Sequence, residues 1–195
     1  IDGNDGGIGI SRDRGKTWQF DEKLPLGQYY HVNVDNQIPY NVMGGLQDNG
    51  SWHGPAYVWR RSGIRNAFWQ GVSGGDGFDV MPDAEDPNWV YTMSQGGNVS
   101  RYNIATGEQW SIRPPRPSKN VKQRFNWNAA IAQDPFDKAT IYYGSQFVNK
   151  STNKGAAWEQ ISGDLTTNDS AKIDQSNNGG ISVDITGAEN HCTIL

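Results

Sequence analysis

The sequence predicts an all-β chain built from repeated four-stranded antiparallel sheets. Three observations carry this: short alternating apolar runs, turn chemistry between them, and a unit that recurs along the chain. Of 195 residues, 24 are glycine, and Trp and Tyr number 8 each. Glycine punctuates turns and large aromatics favour strands. Helical periodicity is missing from every long segment.

The first element is "GGIGI", where Ile8 and Ile10 alternate with glycine. A second strand follows at Thr17 to Phe20, with Trp18 and Phe20 on one face. Between them "SRDRGK" supplies Asp13, whose carboxylate accepts backbone N–H bonds, and Gly15, which adopts positive φ. The pattern is a hairpin with its turn chemistry written out between Ser11 and Trp18. Further strands are predicted near 28–35, 40–46, 77–82, 89–94, 128–133 and 140–145.

The repeat emerges when "DPNWVYTMSQGGNVSRYNIATGEQW" (86–110) is laid over "DPFDKATIYYGSQFVNKSTNKGAAW" (134–158). Asp86 then faces Asp134, Val90 faces Ile141, Ser94 faces Ser145, and Trp110 faces Trp158. "STNKGAAW" also repeats "SRDRGKTW", so Ser151, Gly155 and Trp158 answer Ser11, Gly15 and Trp18, with Asn153 in place of Asp13. A more divergent unit runs from "YYHVNVD" to "YNVMGGLQDNGSW". Four strands in about 45 residues is the period of a β-propeller blade. The expected organisation is a partial propeller. Residues 1–27 form the end of a blade, 28–67, 68–117 and 124–162 form complete blades, and 180–195 start the next. The chain opens at Ile1 and ends on the apolar "HCTIL", as a fragment of a larger propeller would.

The S-x-D-x-G-x-T-W loop resembles the Asp-box, or BNR repeat, of sialidases, xyloglucanases and the sortilin-type receptor domain. "GQYYHVNVDNQIPYNVMGGLQDNGSWHGP", "GGDGFDV", "SQGGNVSR", "SIRPP", "RFNWNAAI" and "ISGDLTTND" extend the likeness. They resemble large, mostly bacterial sortilin-like or BNR-repeat glycosyl hydrolase-like proteins. The resemblance implies an Asp-box on the propeller rim, between the third and fourth strands of a blade and away from the central site. It makes Ser11, Asp13, Gly15, Thr17 and Trp18 structural, with Trp18 packing between neighbouring sheets. It also implies a secreted, periplasmic or cell-surface location.

Composition narrows the partners. A formal charge of −4 gives no footprint for nucleic acid, and "WRRSGIR" alone does not make one. No apolar run is as long as a membrane span. The single Cys192 forms no internal disulfide. His31, His53 and His191 lack metal-ligand spacing, "GDLTTND" lacks the ligand periodicity of a calcium loop, and no cofactor motif is present. No metal site and no cofactor are therefore expected.

Glycoside hydrolysis needs two carboxyl groups flanking the scissile bond, about 5 or about 6.5–9.5 Å apart. Asp48 and Asp76, in Gly-rich turns of adjacent blades, are the candidate catalytic pair, and registry places both at one end of the channel. Trp52, His53, Asp79 and Trp127 are candidate ligand-binding residues, because aromatic faces stack on sugars and anchor peptides. The arginine triad of sialidases is not assembled, since Arg60, Arg61 and Arg65 cluster together. The expected function is binding of a peptide, protein or glycan, with a glycoside hydrolase as the alternative. The expected partners are that ligand and the rest of the propeller.

Overall fold

The computed structural model describes residues 1–4, 7–21, 27–173 and 191–195. Four antiparallel sheets follow one another along the chain. The first has three strands, β1 (Asp2–Asn4), β2 (Gly7–Ile10) and β3 (Gln19–Asp21). The second holds β4 (Tyr29–Val34), β5 (Asn41–Leu46), β6 (Ser51–Pro55) and β7 (Gln70–Ser73). The third holds β8 (Gly77–Pro82), β9 (Trp89–Ser94), β10 (Asn98–Asn103) and β11 (Gln109–Ser111). The fourth holds β12 (Ile131–Gln133), β13 (Ile141–Gly144), β14 (Val148–Ser151) and β15 (Glu159–Gln160). Every sheet is a meander with its strands in chain order. Apart from two 3₁₀ turns and α1 (Ser170–Ile173), the described residues form strands, turns and loops. The fold is a partial β-propeller. The expected start of a further blade at 180–195 falls mostly outside the described residues. Within its last five residues Ile194 donates its amide to Ser145 O at 2.7 Å and packs against Gly144.

Alternation explains the packing between sheets. On β5 and β7, Met43 and Val72 meet Val80 and Val90 of the next sheet. Tyr91, Met93 and Val99 then meet Ile141 and Tyr143 of the sheet after that, and Phe125 of the connection leading into it. Successive side chains of a strand point to opposite faces, so each sheet offers one apolar face to each neighbour.

One boundary differs from expectation. The blade predicted at 28–67 extends to Ser73, because Gln70–Ser73 pairs with β6 and closes its sheet. A loop spanning residues 56–69 separates β6 from β7 and contains the "WRRSGIR" cluster, with a 3₁₀ turn at Asn66–Phe68. That insertion hides the fourth strand from a period count.

The repeat alignment also shifts. Structure equates Asp83, not Asp86, with Asp134. Asp83 Oδ1 accepts the amides of Glu85 and Asp86, and Tyr91 OH bonds Asp83 Oδ2 at 3.3 Å. Asp134 likewise accepts the amides of Phe136 and Asp137, and Tyr142 OH at 2.8 Å. Asp35 plays the same part after β4, accepting the amides of Gln37 and Asn41. The Asp-Pro pairs drew the alignment to the wrong aspartate of "DAEDP".

The two Ser-x-x-x-Gly loops form alike. Each joins the last two strands of its sheet. Gly15 N donates to Ser11 Oγ at 2.7 Å and Thr17 N to Asp13 Oδ1 at 2.8 Å. Gly155 N donates to Ser151 Oγ at 2.8 Å and Ala157 N to Asn153 Oδ1 at 2.7 Å. Gly15 and Gly155 have φ of 86° and 88°, a region that favours glycine. The tryptophans differ. Trp158 Nε1 reaches Ile112 O of the preceding sheet at 2.7 Å, an inter-sheet contact. Trp18 is 54% exposed and covers Gly9 of its own sheet, so the expected inter-sheet packing does not form there.

Asp13 is not a buried acceptor, yet its carboxyl is lowered to about 2, first by the Thr17 hydroxyl and then by the Thr17 amide. Asp13→Ala is expected to lower the melting temperature while leaving ligand binding unchanged. The unfolded carboxyl titrates near 3.8. Stability from a lowered carboxyl is complete above that value and lost as pH falls from there toward 2. Scanning calorimetry at pH 7 and pH 2.5 checks this, and an equal deficit at both values refutes it.

Candidate functional site

The first strands of three successive sheets converge. Asn33 on β4 donates through Nδ2 to Asp79 Oδ1 on β8, and to Val80 O at 3.0 Å. His31, two residues earlier on β4, meets Asn128 with its Nε2 2.9 Å from the amide Nδ2. Asn128 lies just before β12, so one contact joins the second sheet to the fourth. Period-2 alternation places His31 and Asn33 on the same face of β4.

Asp79 is half-buried, and its carboxyl is raised, foremost by burial. The nearby His31 and the Asn33 hydrogen bond pull the other way. Tyr30 packs on Phe78 with ring centroids 4.6 Å apart and planes tilted by 46°, and remains partly exposed. Its phenol is raised by burial and then by the charges of Asp76 and Asp48. The result is a polar strip with an aromatic edge, able to offer carboxylate and amide hydrogen bonds.

Asp48 and Asp76 do gather at one rim. Asp48, with φ of 59°, donates its amide to Asp76 Oδ1 at 2.7 Å. Asp76 N in turn donates to Gln95 Oε1 at 3.0 Å, and Gly50 N to Gly75 O at 2.9 Å. The Asp76 carboxylate thus ties two turns together, a structural duty at odds with the expected catalytic pairing. The amide-to-side-chain link recurs at Arg124 N, which donates to Gln146 Oε1 at 2.8 Å.

The other candidates separate. Trp52 is fixed by its Nε1 bond to Asn49 O at 2.7 Å and lines a groove away from the strip. His53 points between sheets. Its Nε2 is buried without a hydrogen-bond partner, and burial lowers its pKa against the pull of Asp35. Trp127 packs against the core cluster around Phe125 and Tyr143. Among the four, Asp79 alone belongs to the strip. Asn33 and Asn128 are not among the sequence-predicted site residues, and His31 enters there only as lacking metal-ligand spacing. Polar residues two apart inside "YYHVNVD" were the available signal. Among the described residues no three His, Cys, Asp or Glu side chains are grouped to hold a metal ion. No described helix is long and apolar enough to cross a membrane.

Fold and strip together define a propeller-type chain with a polar inner surface. No family model matches the sequence, and no curated protein matches it. Solved structures do. One is the crystal structure of a GH74 xyloglucanase from Xanthomonas campestris, at 15% identity and a TM-score of 0.45. The match covers 83% of this chain and 28% of that one, so the chain spans little more than a quarter of its neighbour.

Proposed function

We propose that this chain is the ligand-binding segment of a secreted, periplasmic or cell-surface Asp-box propeller of the sortilin-like group, and that it binds a neutral glycan. The observation that supports this is the strip of His31, Asn33, Asp79 and Asn128, with the Tyr30 ring at its edge. Carboxylate and amide groups match the paired hydroxyls of a sugar, and an aromatic face stacks on its apolar side. The strip carries acidic charge, which works against anionic sugars and phosphorylated ligands. Arg124, four residues from Asn128, is engaged by Asp164 at 2.6 Å.

Calorimetric titration with neutral gluco-, manno- and galacto-oligosaccharides, and with one basic and one acidic peptide, tests the proposal. Asp79→Asn and His31→Ala are each expected to weaken glycan binding about tenfold, the equivalent of about 1.4 kcal/mol, with unchanged melting temperature. Affinity unaffected by both variants, or binding of peptides alone, overturns it.

Glycoside hydrolysis is the second reading, and the raised Asp79 carboxyl favours it, since a general acid must hold its proton. Asp48 would then supply the second carboxylate, since that of Asp76 is held by the Asp48 amide. Under this reading Asp79→Asn abolishes the release of reducing ends from polysaccharide. Release that persists in the variant removes it.

A further inference from the structure

Three connections gather at one end of the sheets, opposite the end that carries Asp48 and Asp76. Residues 35–40 join β4 to β5, residues 56–69 join β6 to β7, and residues 134–140 join β12 to β13. The first two meet directly, where Ala56 donates its amide to Tyr40 O at 3.1 Å. The first and third flank one pocket, lined by Asn36, Gln37, Asp83, Glu85 and Gln133. Each connection holds a large apolar side chain out in solvent. Ile38 is 100% exposed, Trp59 90% and Phe136 96%. Among the described residues only the N-terminal Ile1 matches them, at 92%. Single exposed apolar residues are ordinary, but three on separate loops at one end form a pattern.

Charge at this end follows the same plan. Residues 56–69 contain Arg60, Arg61 and Arg65 and no acid, in a chain of net charge −4. All three arginines are exposed, and none forms an ion pair among the described residues. The acids nearby are already engaged. Asp35, Asp134 and Asp137 accept backbone amides, and Asp83 and Glu85 hold Lys154.

We propose that this end of the sheets docks on a lipid bilayer, with Ile38, Trp59 and Phe136 entering its apolar edge and Arg60 and Arg61 meeting lipid phosphates. The spacing of the tips favours lipid over protein. A protein partner needs a contiguous, desolvated centre, and the polar pocket with Asp83 and Glu85 interrupts one here. A bilayer accepts each tip separately, and its hold grows with the apolar area inserted. Trp59 also meets Tyr57 edge-on, with ring centroids 5.4 Å apart. Rings with an apolar body and a polar tip concentrate at the membrane–water boundary. Unpaired arginines complete the match, since guanidinium binds phosphate through two parallel hydrogen bonds. The inference is independent of what the polar strip binds.

Co-sedimentation of the full chain with vesicles tests it, using phosphatidylcholine alone and phosphatidylcholine mixed with phosphatidylglycerol. The unsubstituted chain should bind both, and the mixed vesicles more tightly at low salt. Trp59→Ser and Phe136→Ser should each weaken binding about tenfold, and the triple variant that adds Ile38→Ser should abolish it. Arg60→Gln with Arg61→Gln should remove the preference for mixed vesicles while binding to phosphatidylcholine persists. These side chains stand in solvent, so the melting temperature should not move. Absence of binding to both vesicles overturns the proposal, and so does binding that the triple variant retains. A dimer that forms in place of vesicle binding, and that the triple variant abolishes, assigns the tips to a second copy and overturns it too.

Discussion

Asp83→Ala is expected to remove about 3–5 kcal/mol of folding stability, the range for breaking a buried ion pair from one side. The Asp83 side chain is 0% exposed and bonds Arg101 Nη2 at 2.8 Å and Lys154 Nζ at 3.0 Å. Lys154 comes from the following sheet, so the carboxylate ties two sheets together. Burial works to raise the carboxyl, but the amides of Glu85 and Asp86 and the two cations outweigh it, and the net direction is down. The unfolded group titrates near 3.8. A depressed carboxyl contributes fully above that value and loses its contribution as pH falls through the lowered folded value. Urea unfolding of the two proteins should therefore show the full gap at pH 7 and a smaller gap at pH 3. A gap under about 1 kcal/mol at pH 7, the worth of an exposed pair, contradicts this reading.

Gly45→Ala is expected to cost about 3 kcal/mol, the upper part of the usual range for overpacking. A Cβ at Gly45 would overlap the backbone of Gly77 and Phe78 on the adjacent sheet. Backbone cannot rotate away as a flexible side chain would, so the two sheets must separate. Gly163→Ala is the control, with nothing within 4 Å of its added Cβ. Chemical denaturation of both variants checks the pair, and equal stability would mean that sheets two and three do not approach at this point.

The strands at Gly77–Pro82 and Trp89–Ser94 coincide with their predicted spans, and those at Tyr29–Val34 and Asn41–Leu46 fall within one residue of theirs. Alternation and turn residues are local signals, so they survive without tertiary information. Gln70–Ser73 was lost because the long preceding loop breaks the period. The rim position of Asp48 and Asp76 followed from strand direction alone. Their roles did not follow, since an Asp in a Gly-rich turn looks the same whether it meets a ligand or a backbone amide. The strip was less legible still. Asn33 meets Asp79 across 46 positions and His31 meets Asn128 across 97, and only the packing of three sheets brings them together.

Amide chemical shifts recorded while a neutral oligosaccharide is titrated into the isotopically labelled chain test the central claim most directly. The account predicts saturable shifts centred on Tyr30, His31, Asn33, Asp79 and Asn128, abolished by Asp79→Asn. Shifts centred instead on Trp52 and Trp69, or none with any glycan, would contradict it.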